Sequence, residues 1–178
     1  MQPRIPRQQA RELQEQGVQR ADSDDARLSA ELAAVVAGAR RRAVRDGDGQ
    51  IDTAHLLHSL LESDPEVRAV LGEGPRIARL FGYLVQRSIG YGLRWHGAVE
   101  DSGGVPVVTG TAGFSPLAAG CMEYAHGRAA RNGGGPARGS DLLAALVADP
   151  QARAAEVLER AGIDPRELFA RLEAPSSR

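Results

Sequence analysis

Residues 64–69 read DPEVRA, and residues 149–154 read DPQARA. Asp, Pro, Arg and Ala recur in the same order, 85 residues apart. An Asp-Pro pair suits the start of a helix. The carboxylate accepts a free first-turn amide, and the proline ring fixes the backbone where no amide hydrogen is needed. Each phrase therefore predicts a helix beginning.

The flanks of the first phrase are helical too. Residues 53–62 carry Leu56, Leu57, Leu60 and Leu61 at helical spacing. Upstream, Leu28, Leu32, Val35, Val36 and Ala39 mark a helix that Ser29 caps and DGDG at 46–49 ends. Downstream, residues 75–91 place Ile77, Leu80, Phe81, Leu84 and Val85 on one face. The second phrase has the same surroundings. Ser115 and Pro116 open a helix with Leu117, Cys121, Tyr124 and Ala125 inward, ending at NGGGP. Leu142, Leu143, Leu146 and Val147 mark the next, and DPQARA opens a third with Val157 and Leu158. IDPREL opens the last, with Asp164 as cap and Glu167 completing a capping box.

The two halves align. Leu28-Ser29 lies 86 residues before Phe114-Ser115, and the same offset carries Leu56-Leu57 onto Leu142-Leu143 and Leu60 onto Leu146. The chain is expected to be all-α, two tandem four-helix repeats related by a pseudo-twofold axis. Repeat one spans 28–91 and repeat two 114–174. Residues 92–113 are glycine-rich without helical period, so a linker is expected, with Val105–Val108 its only strand-like piece. Residues 1–27 are expected to be a flexible arm with one short helix near Gln8–Gln16, and 175–178 a disordered tail.

Composition narrows the chemistry. The net charge is −1, which argues against a general polyanion binder. All 22 basic residues are Arg, so no P-loop lysine, Schiff-base lysine or Ser–Lys dyad exists here. A single cysteine allows no intrachain disulfide and no multi-cysteine zinc cage. No stretch approaches a spanning length, and the first residues carry no apolar run of a secretory signal. No membrane association and a cytoplasmic location are the expectations.

The duplicated order, with IDTAHLLHSLLESDP, GFSPLAAGCMEYAHGRA and AAEVLERAGID as its best pieces, resembles the Clp N-terminal domain. That domain is the amino-terminal double repeat of ClpA- and ClpC-type unfoldases. The resemblance covers about 28–172 and implies an eight-helix bundle that is not an enzyme. It implies docking of adaptors, substrates or, in ClpC-type proteins, arginine-phosphorylated proteins and some cyclic peptides. A free-standing domain without the ATPase modules of those proteins is expected. In ClpC-type domains the second helix of each repeat opens Gly-Thr-Glu-His, and the Glu helps hold phosphoarginine. This chain has Ala54 and Ser140 at the two Glu positions, while Ser29 and Ser115 keep hydroxyls at the family's Thr positions. Loss of a charge-assisted bond costs roughly 1.5–3 kcal/mol per site. Weak or absent phosphoarginine binding is expected. Leu28 replaces the first family Phe, and Phe114 keeps the second.

Other constellations have plainer readings. His55 and His58 lack a third ligand nearby in sequence, so no metal is expected; His55 is expected to bond at the helix start and His58 to be exposed. Cys121 falls on an apolar stripe and His126 turns away, which favours a core cysteine over a nucleophile. Ser115, Asp141 and His126 hold triad letters, but no G-x-S-x-G is present. Arg40, Arg41, Arg42 and Arg45, with arm residues Arg4, Arg7, Arg11, Arg20 and Arg27, are weighed as a nucleic-acid surface against a solvated face. The expected function is a non-catalytic protein-interaction module, without cofactor, docking or competing for a Clp unfoldase, adaptor or substrate. The candidate contacts are Leu28, Ser29, Ala54, Phe114, Ser115 and Ser140. The alternatives are sequestration of a small cyclic peptide and a nucleic-acid-binding regulator using the Arg-rich arm.

Overall fold

A computed structural model describes residues 27–72, 74–88, 100 and 113–174. The arm before Arg27 with its expected short helix, most of the linker with Val105–Val108, and the tail after Ala174 lie outside the described residues. Among those residues the chain is all-α, with eight helices and no strands. They are α1 (Ala30–Asp46), α2 (Thr53–Ser63), α3 (Pro65–Leu71), α4 (Pro75–Ser88), α5 (Pro116–Arg131), α6 (Gly139–Ala148), α7 (Arg153–Arg160) and α8 (Pro165–Glu173).

The helix ends follow from local chemistry. Ser29 Oγ accepts from the Leu32 amide at 3.1 Å, and Ser115 Oγ from the Ala118 amide at 3.1 Å. Gly47 ends α1 in the left-handed region, φ 72°, and donates to the carbonyls of Ala43 and Val44. Asp64 caps α3 from the amides of Glu66 and Val67 at 2.9 and 3.1 Å.

Three expectations are corrected. α7 does not start at Pro150 but at Arg153, because Asp149 instead closes a turn, its carbonyl accepting from Ala152 and its carboxylate from Gln151. No capping box forms at α8: Asp164 bonds the amide two residues on, at Arg166, and Glu167 does not return a bond. Val85 is 49% exposed, while Leu80 and Leu84 of the same helix are buried.

α2 and α6 run through the middle. Every residue from Thr53 to Leu61 is buried, as are Leu142 to Val147. α1 lies on α2 and α5 on α6; across the halves α2 meets α7 and α6 meets α3. The halves differ at their last helices, since α8 packs on α6 whereas α4 leans chiefly on α7. Leucines dominate the fully buried side chains, each contributing about 1.5–3 kcal/mol by burial.

Polar residues of α2 must be satisfied inside this core. Ser59 Oγ donates to the Val35 carbonyl at 2.6 Å, crossing to α1. Gly38 makes room for it, since a β-carbon there would collide with Ser59 Oγ. Gly38→Val is expected to destabilise the fold by about 1–3 kcal/mol through overpacking, despite relieving a helical glycine. Urea unfolding checks this; an unchanged or higher midpoint would contradict the packing.

Candidate junctions between the halves

The six candidate contacts gather at two places. Each joins the start of one half's first helix to the start of the other half's second helix. At the first junction, Ser115 donates its amide to the Ile51 carbonyl at 2.8 Å, and Ile51 to the Gly113 carbonyl at 2.5 Å. At the second, Ser29 donates to the Ala137 carbonyl at 2.9 Å, and Ala137 to the Arg27 carbonyl at 3.0 Å. These are two isolated parallel bridges, Ile51 with Phe114 and Leu28 with Ala137. The 86-residue offset takes Leu28 to Phe114 and Ile51 to Ala137, so it exchanges one bridge for the other.

The first junction is sealed. Ala54 and Ser115 are buried there, which removes both from any surface a partner meets, and Phe114 is half-buried against the core. A carboxylate fills the space between them. Glu100 Oε1 accepts from the Thr53 amide at 2.8 Å and Ser115 Oγ at 3.1 Å. Its Oε2 accepts from Thr53 Oγ1 at 2.5 Å and the Arg153 amide at 2.8 Å. Thr53 Oγ1 in turn accepts from the Ala154 amide at 3.0 Å. α7 has no side-chain cap of its own at Ala152, so Glu100 and Thr53 serve its first amides from a distance.

A second acid stands beside it. Asp52 Oδ1 accepts from the His55 amide at 2.8 Å, and Oδ2 meets Arg153 Nη1 at 2.9 Å and the Arg87 guanidinium. Burial alone would raise the Asp52 carboxyl, but the contacts with His55 and Arg87 hold it well below the usual range. Glu100 goes the other way. Burial and then the Asp52 charge push it up, against the bonds from Thr53 and Arg153. One buried carboxylate thus stays strongly ionised beside another that resists ionisation.

The second junction is open. Leu28, Ser29 and Ser140 are half-buried. Its acid is Asp64, which caps α3 and presses against Gly139, where a β-carbon would collide with Asp64 Oδ2. Gly139 is the counterpart of Thr53 by the 86-residue offset. Asp141, the counterpart of His55, accepts from the Arg138 amide at 2.9 Å and from Arg128 Nη1 at 2.6 Å. Arg128 is fully engaged, also donating to Glu173 at 2.8 Å and the Leu172 carbonyl at 2.6 Å. A cavity of about 880 Å³ opens beside it, with Ser140 on its wall.

Asp46 and Asp48 supply neighbours for His55 that spacing alone did not show, at 3.6 and 2.9 Å from Nε2. His55 Nδ1, however, accepts from the Asp52 amide at 3.0 Å, closing a capping box. Nε2 is buried and makes no hydrogen bond to either acid, although its ligand atom and theirs all lie within 4.8 Å of one another. His58 is buried, not exposed: it packs edge-on against Phe81 at 6.0 Å, and burial, then the Arg42 charge, lowers it to about 4. Cys121 is buried, and burial pushes its thiol up to about 12, a poor nucleophile. The Arg40–Arg45 cluster splits, because Arg42 turns inward to pair with Glu62 at 2.6 Å. No helix among the described residues is long and apolar enough to cross a membrane.

Glu100, Thr53, Arg153 and Arg87 were not among the sequence candidates. No local signal pointed to them, because the sequence offers Asp149 as the cap and hides that the helix starts after Ala152 without one. No protein-family model matches the chain, and no curated protein matches it either.

Glu100→Ala is expected to lower stability by about 1–3 kcal/mol by leaving buried donors unpaired, with Glu100→Gln retaining more because its oxygen still accepts. Urea midpoints check this; an alanine variant as stable as the parent would refute the capping role. His58 gives a pH dependence of definite sign. The unfolded imidazole takes a proton near 6.5, while the folded one waits until about 4, so falling pH favours unfolding across that window. His58→Phe is expected to remove about 1–3 kcal/mol of that acid sensitivity, read from stability measured between those pH values.

Proposed function

We propose that this chain is a non-catalytic docking module of the Clp N-domain type, which engages a Clp unfoldase, adaptor or substrate through the junctions between its halves. The observation that carries the proposal is the reciprocal exchange of backbone bonds between Leu28–Ala137 and Ile51–Phe114. Two copies of one unit, each lending its first helix start to the other, produce that exchange. The all-α order of helices and the clustering of the six candidate residues support it. The buried Cys121 thiol offers no nucleophile, which favours binding over chemistry.

The two junctions divide the work. The one at Phe114 is occupied by the chain's own Glu100, so a ligand anion there meets a tethered competitor. This agrees with a degenerate phosphoarginine site. The junction at Leu28, Ser29 and Ser140 is the one a partner reaches.

The test is a reconstituted degradation assay: a ClpC-type unfoldase, its protease and an adaptor-delivered substrate, with this protein titrated in. The expected result is a saturable change in degradation rate. A Leu28→Arg, Ser140→Arg double variant, made at half-exposed positions, is expected to need at least about tenfold more protein for the same effect. No effect on degradation and no complex with unfoldase, adaptor or substrate would overturn the proposal.

A further inference from the structure

We infer that the face around the C-terminal end of α3 is a docking track for an acidic peptide segment of a partner protein. The inference rests on the docking function proposed above and adds the chemistry of what docks. Two cavities lie there, of about 880 and 540 Å³. They share one short helix end, because Val70 lines the larger and Leu71 and Gly72 line the smaller.

Arginines border both. Arg138 and Arg171 line the larger cavity, and Arg76 and Arg79 line the smaller. All four are exposed, and none forms an ion pair among the described residues. The acids of the larger cavity, Asp141 and Glu173, are both claimed by Arg128. Together the two linings hold five arginines and two carboxylates, a net charge of +3 among the described residues, in a chain whose net charge is −1. Each guanidinium presents a planar fork of donors matched to a carboxylate.

Val70 and Leu172 line the larger cavity and Leu71 and Pro75 the smaller, beside the arginines. That mixture fits a segment carrying both acidic and aliphatic side chains. It fits a nucleic-acid strand poorly, since a strand is held by aromatic faces on which bases stack, and no aromatic residue among the described ones lines either cavity.

The test is fluorescence polarisation on the full chain without a histidine tag. The probes are a labelled peptide alternating glutamate and leucine, its lysine–leucine counterpart, and a labelled single-stranded oligonucleotide. Saturable binding of the acidic peptide alone is expected, weakening as salt is raised. Arg138→Glu with Arg171→Glu is expected to weaken it by about tenfold or more, and Arg76→Glu with Arg79→Glu likewise. All four positions are exposed, and circular dichroism checks that the variants remain folded. Absence of acidic-peptide binding, equal binding of the lysine peptide, preference for the oligonucleotide, or indifference to all four substitutions would each overturn the inference. If the Leu28→Arg, Ser140→Arg variant still loses its effect in the degradation assay while the charge-reversed variants keep theirs, the docking function stands and the acidic track fails.

Discussion

Helix starts inside a protein bring amide hydrogens that the helix itself cannot satisfy. Here the beginnings of α2 and α7 lie inside the first junction, and those of α3 and α6 come together at the second. An unpaired buried donor costs about 1–3 kcal/mol, against a total stability of about 5–15 kcal/mol for an ordinary domain. A handful left open would consume the margin. Acids placed at the junctions are therefore a condition of the fold, and the leucine core can form only around them.

The halves meet this condition differently. In the first half the acid is local: Asp64 caps the helix it precedes and lies against Gly139 of the other half. In the second half the corresponding Asp149 is spent on a turn, and Glu100, distant in sequence, takes over. Thr53 and Gly139 differ for the same reason. Thr53 contributes a hydroxyl that bridges Glu100 to the Ala154 amide, whereas any side chain at Gly139 would strike Asp64. The outcome is one sealed junction and one open junction in the same eight-helix fold.

Much of the helical plan was legible in the sequence, because leucine spacing and capping residues act locally. Ser29, Ser115, Asp64 and Gly47 stop or start helices through neighbours within a few residues. The failures share a cause. α7 begins late because its amides are served by Thr53 and Glu100, and no window around DPQARA contains either. His58 is buried although polar, because α2 is enclosed on all sides, so amphipathic spacing had no polar face to report. The candidate contacts were found by counting offsets, and the offsets do bring them together. The burial of Ala54 and Ser115 was not legible, and the residue that bonds Ser115 comes from a stretch without periodicity.

The single cysteine has a practical consequence. Cys121 sits against the Ala145 carbonyl in the α5–α6 interface, shielded and reluctant to ionise. The native thiol is therefore expected to react slowly with thiol reagents, so that a reporter cysteine on the exterior is labelled far faster. Conversely, modification of the parent thiol requires those two helices to part, so its trapping rate is a built-in clock for transient opening of the second half.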